Sequence, residues 1–526
     1  MRKFIFLLTG SLFVLGGFSQ TDTTFSPLIR DGKVEIFRSN AEKDILTKLH
    51  YSDDDYLDLY LQIGAAVDRE AAKQKIDNYL NTAGRYDHPL KSKDLKKLYK
   101  GVHGAFFTRY VENPPFGQIF STGNYNCATA SALYALLLQR LSVNYDIRET
   151  PSHIYIVADP EAANIVFETT APGIKIYQVT EKFKTQYITY LVNNKLATAS
   201  EVAGGNRDAV FEKYFYGDDK IDRKKLAGLL YYNLGIDAVA KEDYRTAYQN
   251  FEKANMLYPS KRIAYLTSLS LASLMAEKED EPRTDLWPYG LRYIELNKTE
   301  DAKELFKGYC ANQLKRYLFE RPEPAKVHQF YRQMLPYIKD TSFKQMLQCD
   351  YYYETAHHLY IKGYYDSSLT YLDAAYHLTP QNLLLQELIA QSLIQQSLPV
   401  SGRADTVLVG RMEGHFERYP FLKSSPRVRE LYIVGLAGAT ADLFQKNQKA
   451  AGDRYMKRFL GLMETDLPAI KKTQPYWTVL INETYIYYIR QKQYKEARRF
   501  LLEIKKYLPD NEEVDKRIGY LDGGIY

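Results

Sequence analysis

Three residues, in order along the chain, have the side chains that acyl transfer through a thiol requires: Cys127, His153 and Glu168. A thiolate attacks a carbonyl carbon, an imidazole carries the proton, and a carboxylate orients the imidazole and stabilises its cation. Cys127 stands in GNYNCATASALYALLLQRL, residues 123–141, where Ala130, Leu133, Tyr134, Leu137 and Leu141 recur at helical spacing. The spacing predicts a buried helix that begins at Cys127, with Gly123 and Asn124 as turn formers and Asn126 as its cap. A thiol at that position lies at the positive end of the helix dipole, which favours the thiolate. His153 opens a β-rich segment, PSHIYIVAD at 151–159, and Glu168 lies in a second one, NIVFETTAPG at 164–173. If the two strands turn symmetrically about residues 160 and 161, His153 stands opposite Glu168 on one face. A register slip of two residues would leave them diagonal neighbours.

A cysteine heading a buried helix, a histidine opening a strand and an acid fifteen residues later resembles the transglutaminase-like superfamily, which shares the papain-like arrangement of cysteine, histidine and acid. The resemblance covers residues 101–180 best. It implies an α+β papain/transglutaminase-like domain in which Cys127 is the nucleophile, His153 the general base and acid, and Glu168 the orienting acid. Glu168 departs from the aspartate more usual at the third place. The backbone N–H of Cys127 is the natural oxyanion donor, with Gln118 and Tyr125 as candidate side-chain donors. The implied reaction is attack on an amide to form a thioester. Resolution by water makes a peptidase or amidase, and resolution by an amine makes a crosslinking acyltransferase. Hydrolysis is the expectation here, because no amine-binding feature is visible. No cofactor is required.

The elements that must position these residues occupy a small part of the chain. From 228 to 261, Tyr231, Leu234, Gly235, Tyr244, Ala247, Phe251, Ala254 and Pro259 fall at the spacing of a tetratricopeptide repeat. The frame fits again from 349 to 382, with Tyr352, Ala356, Leu359, Tyr365, Leu372, Ala375 and Pro380. It fits a third time from 478 to 511, with Ile481, Tyr488, Tyr494, Ala497, Leu501, Ile504 and Pro509, and residues 431–462 read as a worn copy. Because single repeats cannot bury their own faces, the expectation is a continuous all-α tetratricopeptide-repeat solenoid over 222–526. The expected order is a signal peptide at 1–19, a helical region at 20–100, the transglutaminase-like domain at 101–221 and then the solenoid. A concave repeat surface suggests a protein partner, beside a peptide or protein substrate for the thiol site. The rival reading is a non-catalytic envelope scaffold or binding protein that keeps a relic triad.

The first twenty residues read as a secretory signal, with Arg2 and Lys3 before a short apolar run and small residues at Gly17 and Ser19. The expected location is therefore periplasmic or secreted. That run is too short for a membrane span, and no later stretch qualifies, so no membrane span is expected. With 45% hydrophobic and 25% charged residues, the 526-residue chain can form cores, which excludes wholesale disorder. A formal charge of +6 without a Lys/Arg run argues against nucleic acid as a partner. Three cysteines, Cys127, Cys310 and Cys349, are too few for a disulfide framework, and the latter two read as packing residues. No metal is expected. His357 and His358 are adjacent and point apart on a helix, and Asp53, Asp54 and Asp55 read as a solvated turn rather than a calcium loop.

Overall fold

The computed structural model describes residues 26–524 apart from 65–67, 83–89, 151–152, 170–175, 194–197, 199–200, 203–206, 212, 214–218, 278–282, 398–404 and 466. The signal segment expected at 1–19 lies outside the described residues. Among the described residues the chain is mainly helical with two small sheets. It separates into two compact units, with the division between Phe306 and Lys307.

The first unit is built around the helix Cys127–Arg140, whose side chains from Ala128 to Leu138 are all buried. Alanines on this helix allow neighbours to approach from every side, and the leucines fill the space between them. A five-stranded antiparallel sheet lies against it in the order β6-β5-β4-β3-β7, with β3 at Tyr145–Thr150, β4 at His153–Ala158, β5 at Ile165–Phe167, β6 at Ile176–Gln178 and β7 at Asp219–Ile221. Ile154, Ile156, Ala158, Ile165 and Phe167 share one core with the helix, whereas Tyr155, Val157 and Val166 form a second cluster on the opposite face. That division is the period-two alternation of a strand buried on both faces. The helices Asp53–Leu61, Ser92–Phe106 and Arg223–Ala240 complete the first core through Tyr60, Tyr99 and Tyr231.

The segment expected as a turn at Asp53, Asp54 and Asp55 is the first turn of a helix. Ser52 caps it by accepting from the Asp55 N–H while the Asp55 carboxylate accepts from the Ser52 N–H. This reciprocal cap satisfies backbone donors that a turn would leave to water. Of the second expected strand, 164–173, β5 covers Ile165–Phe167, and residues 170–173 lie outside the described residues.

Helical hairpins recur in both units. Arg223–Ala240 is followed by Tyr244–Leu257, Thr341–Ile361 by Tyr365–Leu378, Pro426–Gln445 by Lys449–Thr465, and Leu467–Arg490 by Tyr494–Tyr507. Each three-residue connection has a left-handed middle residue, respectively Glu242, Gly363, Asn447 and Lys492. Each also carries the same closing bond, Asp243 N–H to Ala238 C=O, Tyr364 to Leu359, Gln448 to Leu443 and Gln493 to Tyr488, at 2.8–2.9 Å. This six-to-one bond satisfies a carbonyl that the helix end would otherwise leave open. Between the first two partners the approach is close enough that a Cβ on Gly235 would lie 2.6 Å from the Phe251 ring. Among the described residues no helix is long and apolar enough to cross a membrane.

One buried ionic cluster ties the start of the first unit to its hairpin. Glu42 is fully buried, and its Oε1 receives the Tyr231 hydroxyl at 2.9 Å, the Lys253 ammonium at 3.1 Å and the Arg38 guanidinium at 2.8 Å. Burial alone would raise the Glu42 carboxyl, but Lys253 and Arg38 outweigh it and hold it below its ordinary value. Lys253 is pushed down to about 8 by burial, against the attraction of Glu42. Glu42→Gln leaves the Lys253 charge buried and poorly compensated, and is expected to destabilise the unit by about 3 kcal/mol in urea denaturation. Adding Lys253→Met should recover part of that loss. A loss in the double variant equal to the sum of the losses in Glu42→Gln and Lys253→Met alone would show that the pair is not coupled.

Candidate functional site

Cys127 is the first residue of its helix because the three residues before it are fixed by other parts of the chain. The short strands β1, Arg109–Tyr110, and β2, Asn124–Tyr125, pair in parallel. Thr108 N–H reaches the Gly123 carbonyl at 2.8 Å and Val111 N–H the Tyr125 carbonyl at 2.9 Å. Gly123 has φ +72°, and a Cβ there would lie 2.2 Å from the Thr108 hydroxyl, so the position demands glycine on two counts. Asn126 is the cap. Its Oδ1 accepts from Thr129 N–H at 2.9 Å, its own N–H donates to the Thr129 hydroxyl at 2.9 Å, and its Nδ2 donates to the Glu112 carbonyl at 2.7 Å. A cap of this kind is worth about 1 kcal/mol. Here it also decides where the sulfur sits.

His153 is the first residue of β4 and Glu168 the first residue after β5. The β4–β5 ladder pairs Ile156 with Phe167, Val157 with Val166 and Ala158 with Ile165. The register therefore differs by two residues from a turn centred on 160 and 161. The physical reason is the longer connection: Asp159 and Asn164, both left-handed, close it through an Asn164 N–H to Asp159 C=O bond of 2.6 Å. Continued past its last pair, the register sets Glu168 across from Tyr155 and diagonal to His153. The diagonal is short enough: His153 Nε2 and Glu168 Oε1 are 2.6 Å apart. The ring of Tyr155 lies nearly parallel to the imidazole at 20° and 6.0 Å.

Burial opposes charge on this imidazole, but the interactions with the Cys127 and Glu168 side chains outweigh it and raise it to about 9. The side chains of His153 and Glu168 keep 24% and 21% of their surface exposed, so water reaches the pair. The structure thus joins His153 and Glu168 by a hydrogen bond, and Cys127 acts with Glu168 to favour the charged imidazole. Such an arrangement can hold an imidazolium beside a sulfur at neutral pH and pass a proton from one to a neighbouring atom.

The two side-chain oxyanion candidates each have a polar partner. Gln118, at the head of the short helix Gln118–Ser121, accepts from Asn124 Nδ2 at 3.0 Å. Tyr125 is buried, stacked on Phe107 at 4.6 Å, with its hydroxyl 3.5 Å from His103 Nε2. The Cys127 N–H, like every N–H in a first helical turn, lacks an intrahelical acceptor. Tyr110 is half-exposed and stands edge-on to Tyr125 at 5.9 Å. Burial raises its phenol, and the charge of the Cys127 side chain adds to the effect.

Two residues of the site carry no sequence signal. The Tyr99 hydroxyl donates to the Glu168 carbonyl, and its ring packs on Phe167 at 5.2 Å and Tyr134 at 5.6 Å. Burial, with the charge of Glu168 next, pushes Tyr99 up to about 12, so it remains a donor throughout the working range. The Thr169 hydroxyl reaches backbone carbonyls of two neighbouring elements. In sequence, Tyr99 is one of several apolar-face residues of a helix and Thr169 is one of two consecutive threonines.

The other cysteines lie in different surroundings. Cys310 is buried 3.9 Å from the Met334 sulfur, and burial pushes its thiol well above the ordinary value. Cys349 lies 2.9 Å from the Thr379 hydroxyl, and burial raises it despite that contact. His357 is 3.9 Å from Glu354, and both it and His358 face the Phe319 ring. Among the described residues no group of three or more His, Cys, Asp or Glu side chains is placed to hold a metal ion. No protein-family model matches the chain, and no curated protein matches it either.

Because the folded imidazole is raised from 6.5 to about 9, its bonds stabilise the fold fully below pH 6.5 and lose that effect as pH rises through 9. The stability difference between the protein and His153→Gln, read by thermal denaturation, should therefore be largest near pH 6.5 and shrink by pH 9. A difference independent of pH over that window would mean that the imidazole is not held as a cation.

Proposed function

We propose that this is an exported cysteine hydrolase of the transglutaminase-like kind, a peptidase or amidase, with a tetratricopeptide-type solenoid that binds a protein partner. The observation that carries the reading is the His153 imidazole, bonded to Glu168 and drawn toward its charged form by Glu168 and Cys127 together. The order of the three residues, the Asn126 cap that starts the helix at Cys127 and the absence of comparable partners around Cys310 and Cys349 support it. Export rests on the sequence of residues 1–20. The repeat reading is supported by the left-handed turn residue at the fifteenth place of all three repeat frames, Glu242, Gly363 and Lys492.

In the proposed reaction the Cys127 sulfur adds to the carbonyl carbon of an amide, and the electron pair of the C=O bond moves onto oxygen. The Cys127 N–H, in the first turn of its helix, is the donor available for that charge. His153 delivers its proton to the amide nitrogen, the C–N bond breaks, and the amine leaves behind a thioester. Water then gives a proton to His153 and adds to the thioester carbonyl, and collapse releases a carboxylic acid and restores the thiol. Glu168 holds the imidazole in place through both halves.

The test is the pH dependence of iodoacetamide alkylation, site by site. Cys127 should react well below pH 8, while the buried Cys310 and Cys349 serve as slow internal controls. His153→Ala should slow the Cys127 reaction at pH 7 by roughly tenfold. A Cys127 that reacts like an ordinary thiol, or whose rate ignores His153, would reduce the three residues to a relic and leave partner capture as the function.

A further inference from the structure

Glu168 and Thr169 leave the sheet together, but they face opposite ways. Glu168 follows the side of Val166 and meets His153, whereas Thr169 follows the side of Phe167, toward the core shared with the Cys127 helix. The β4–β5 register, continued, sets Thr169 across from Ile154, the residue after His153. Its hydroxyl oxygen lies 3.3 Å from the Ile154 carbonyl oxygen and 3.5 Å from that of Cys127, so one proton is shared between two acceptors. Ser131, one turn along the same helix, also donates to the Ile154 carbonyl, at 3.4 Å. Thr169 is 1% exposed and Ser131 0%, so water cannot replace either hydroxyl.

Thus a single side chain joins the residue bearing the sulfur, the residue next to the imidazole and the residue next to the carboxylate. It touches no reacting atom. We propose that Thr169 is a positioning residue that holds the start of the Cys127 helix against the strand ends carrying His153 and Glu168, and thereby sets the spacing of sulfur and imidazole. The proposal rests on the reading of Cys127 and His153 as an activated pair. Loss of the hydroxyl leaves two carbonyls less well satisfied at this junction and lets the helix start and the strand ends shift relative to one another. The His153–Glu168 bond should survive that movement, since both of its partners lie on the strand side.

The experiment compares Thr169→Val, which keeps the shape without the hydroxyl, with Thr169→Ser, which keeps the hydroxyl. The readouts are the pH profile of Cys127 alkylation by iodoacetamide and the titration of His153 by NMR in the full chain. Thr169→Val is expected to lower the Cys127 rate at pH 7 by roughly tenfold and move its profile toward that of an ordinary thiol, with the His153 signal still tied to Glu168. Thr169→Ser should restore the profile. Thr169→Ala carries the same expectation as the valine variant if the latter does not fold. A wild-type profile in a hydroxyl-free variant, or a serine variant as impaired as the valine one, overturns the proposal. Failure of the underlying reading gives a different result, because unmodified Cys127 would then react as an ordinary thiol and be insensitive to His153→Ala.

Discussion

A sulfur can be held against an imidazole only if the backbone that carries it cannot slide, and in this protein that constraint falls on the first turn of the Cys127 helix. The helix is buried from Ala128 to Leu138 by contacts that are almost wholly apolar, and such contacts resist removal to water but specify position along the axis poorly. Directional bonds supply what the core does not. Asn126 closes the helix start onto Thr129 and onto the Glu112 carbonyl, and Gly123 lets the preceding chain lie directly on Thr108. The apolar core and the polar cap therefore divide the task, one giving stability and the other placement.

The imidazole depends on a departure from regularity. Had β5 continued its ladder, Glu168 would be one more strand residue across from Tyr155. Instead the paired strand ends at Phe167, and the carboxylate reaches diagonally to His153 while Tyr99 holds the Glu168 carbonyl. Burial works against a charged histidine, so its raised affinity for a proton depends on the Glu168 and Cys127 side chains beside it. The longer side chain of Glu168 suits a diagonal reach of this kind.

Elsewhere the chain repeats one local solution. Four helical hairpins turn through three residues with a left-handed residue in the middle and the same closing hydrogen bond. Only one of the four uses glycine there; Glu242, Asn447 and Lys492 accept the strained conformation. Small residues at the crossing, such as Gly235 against Phe251, let paired helices approach closely. Residues 431–462 look worn in sequence yet carry the same turn at Asn447, because the turn depends on backbone bonds rather than on any one side chain.

What was legible in the sequence is what local physics decides. The apolar period of 127–141, the capping residue Asn126, the order of cysteine, histidine and acid, and the repeat frames with their small crossing residues depend on neighbours a few positions away. The sequence also marked Gln118 and Tyr125 as candidate donors, but it could not show that Asn124 and His103 are their neighbours. Tertiary structure alone decided the β4–β5 register, the early end of β5, and the roles of Tyr99 and Thr169. Those outcomes depend on contacts between residues tens of positions apart, whose energies are comparable to those of a two-residue slip. Only when the Cys127 helix, the sheet and the Ser92–Phe106 helix pack together is one register left that satisfies the carbonyls of Ile154, Glu168 and Cys127 at once.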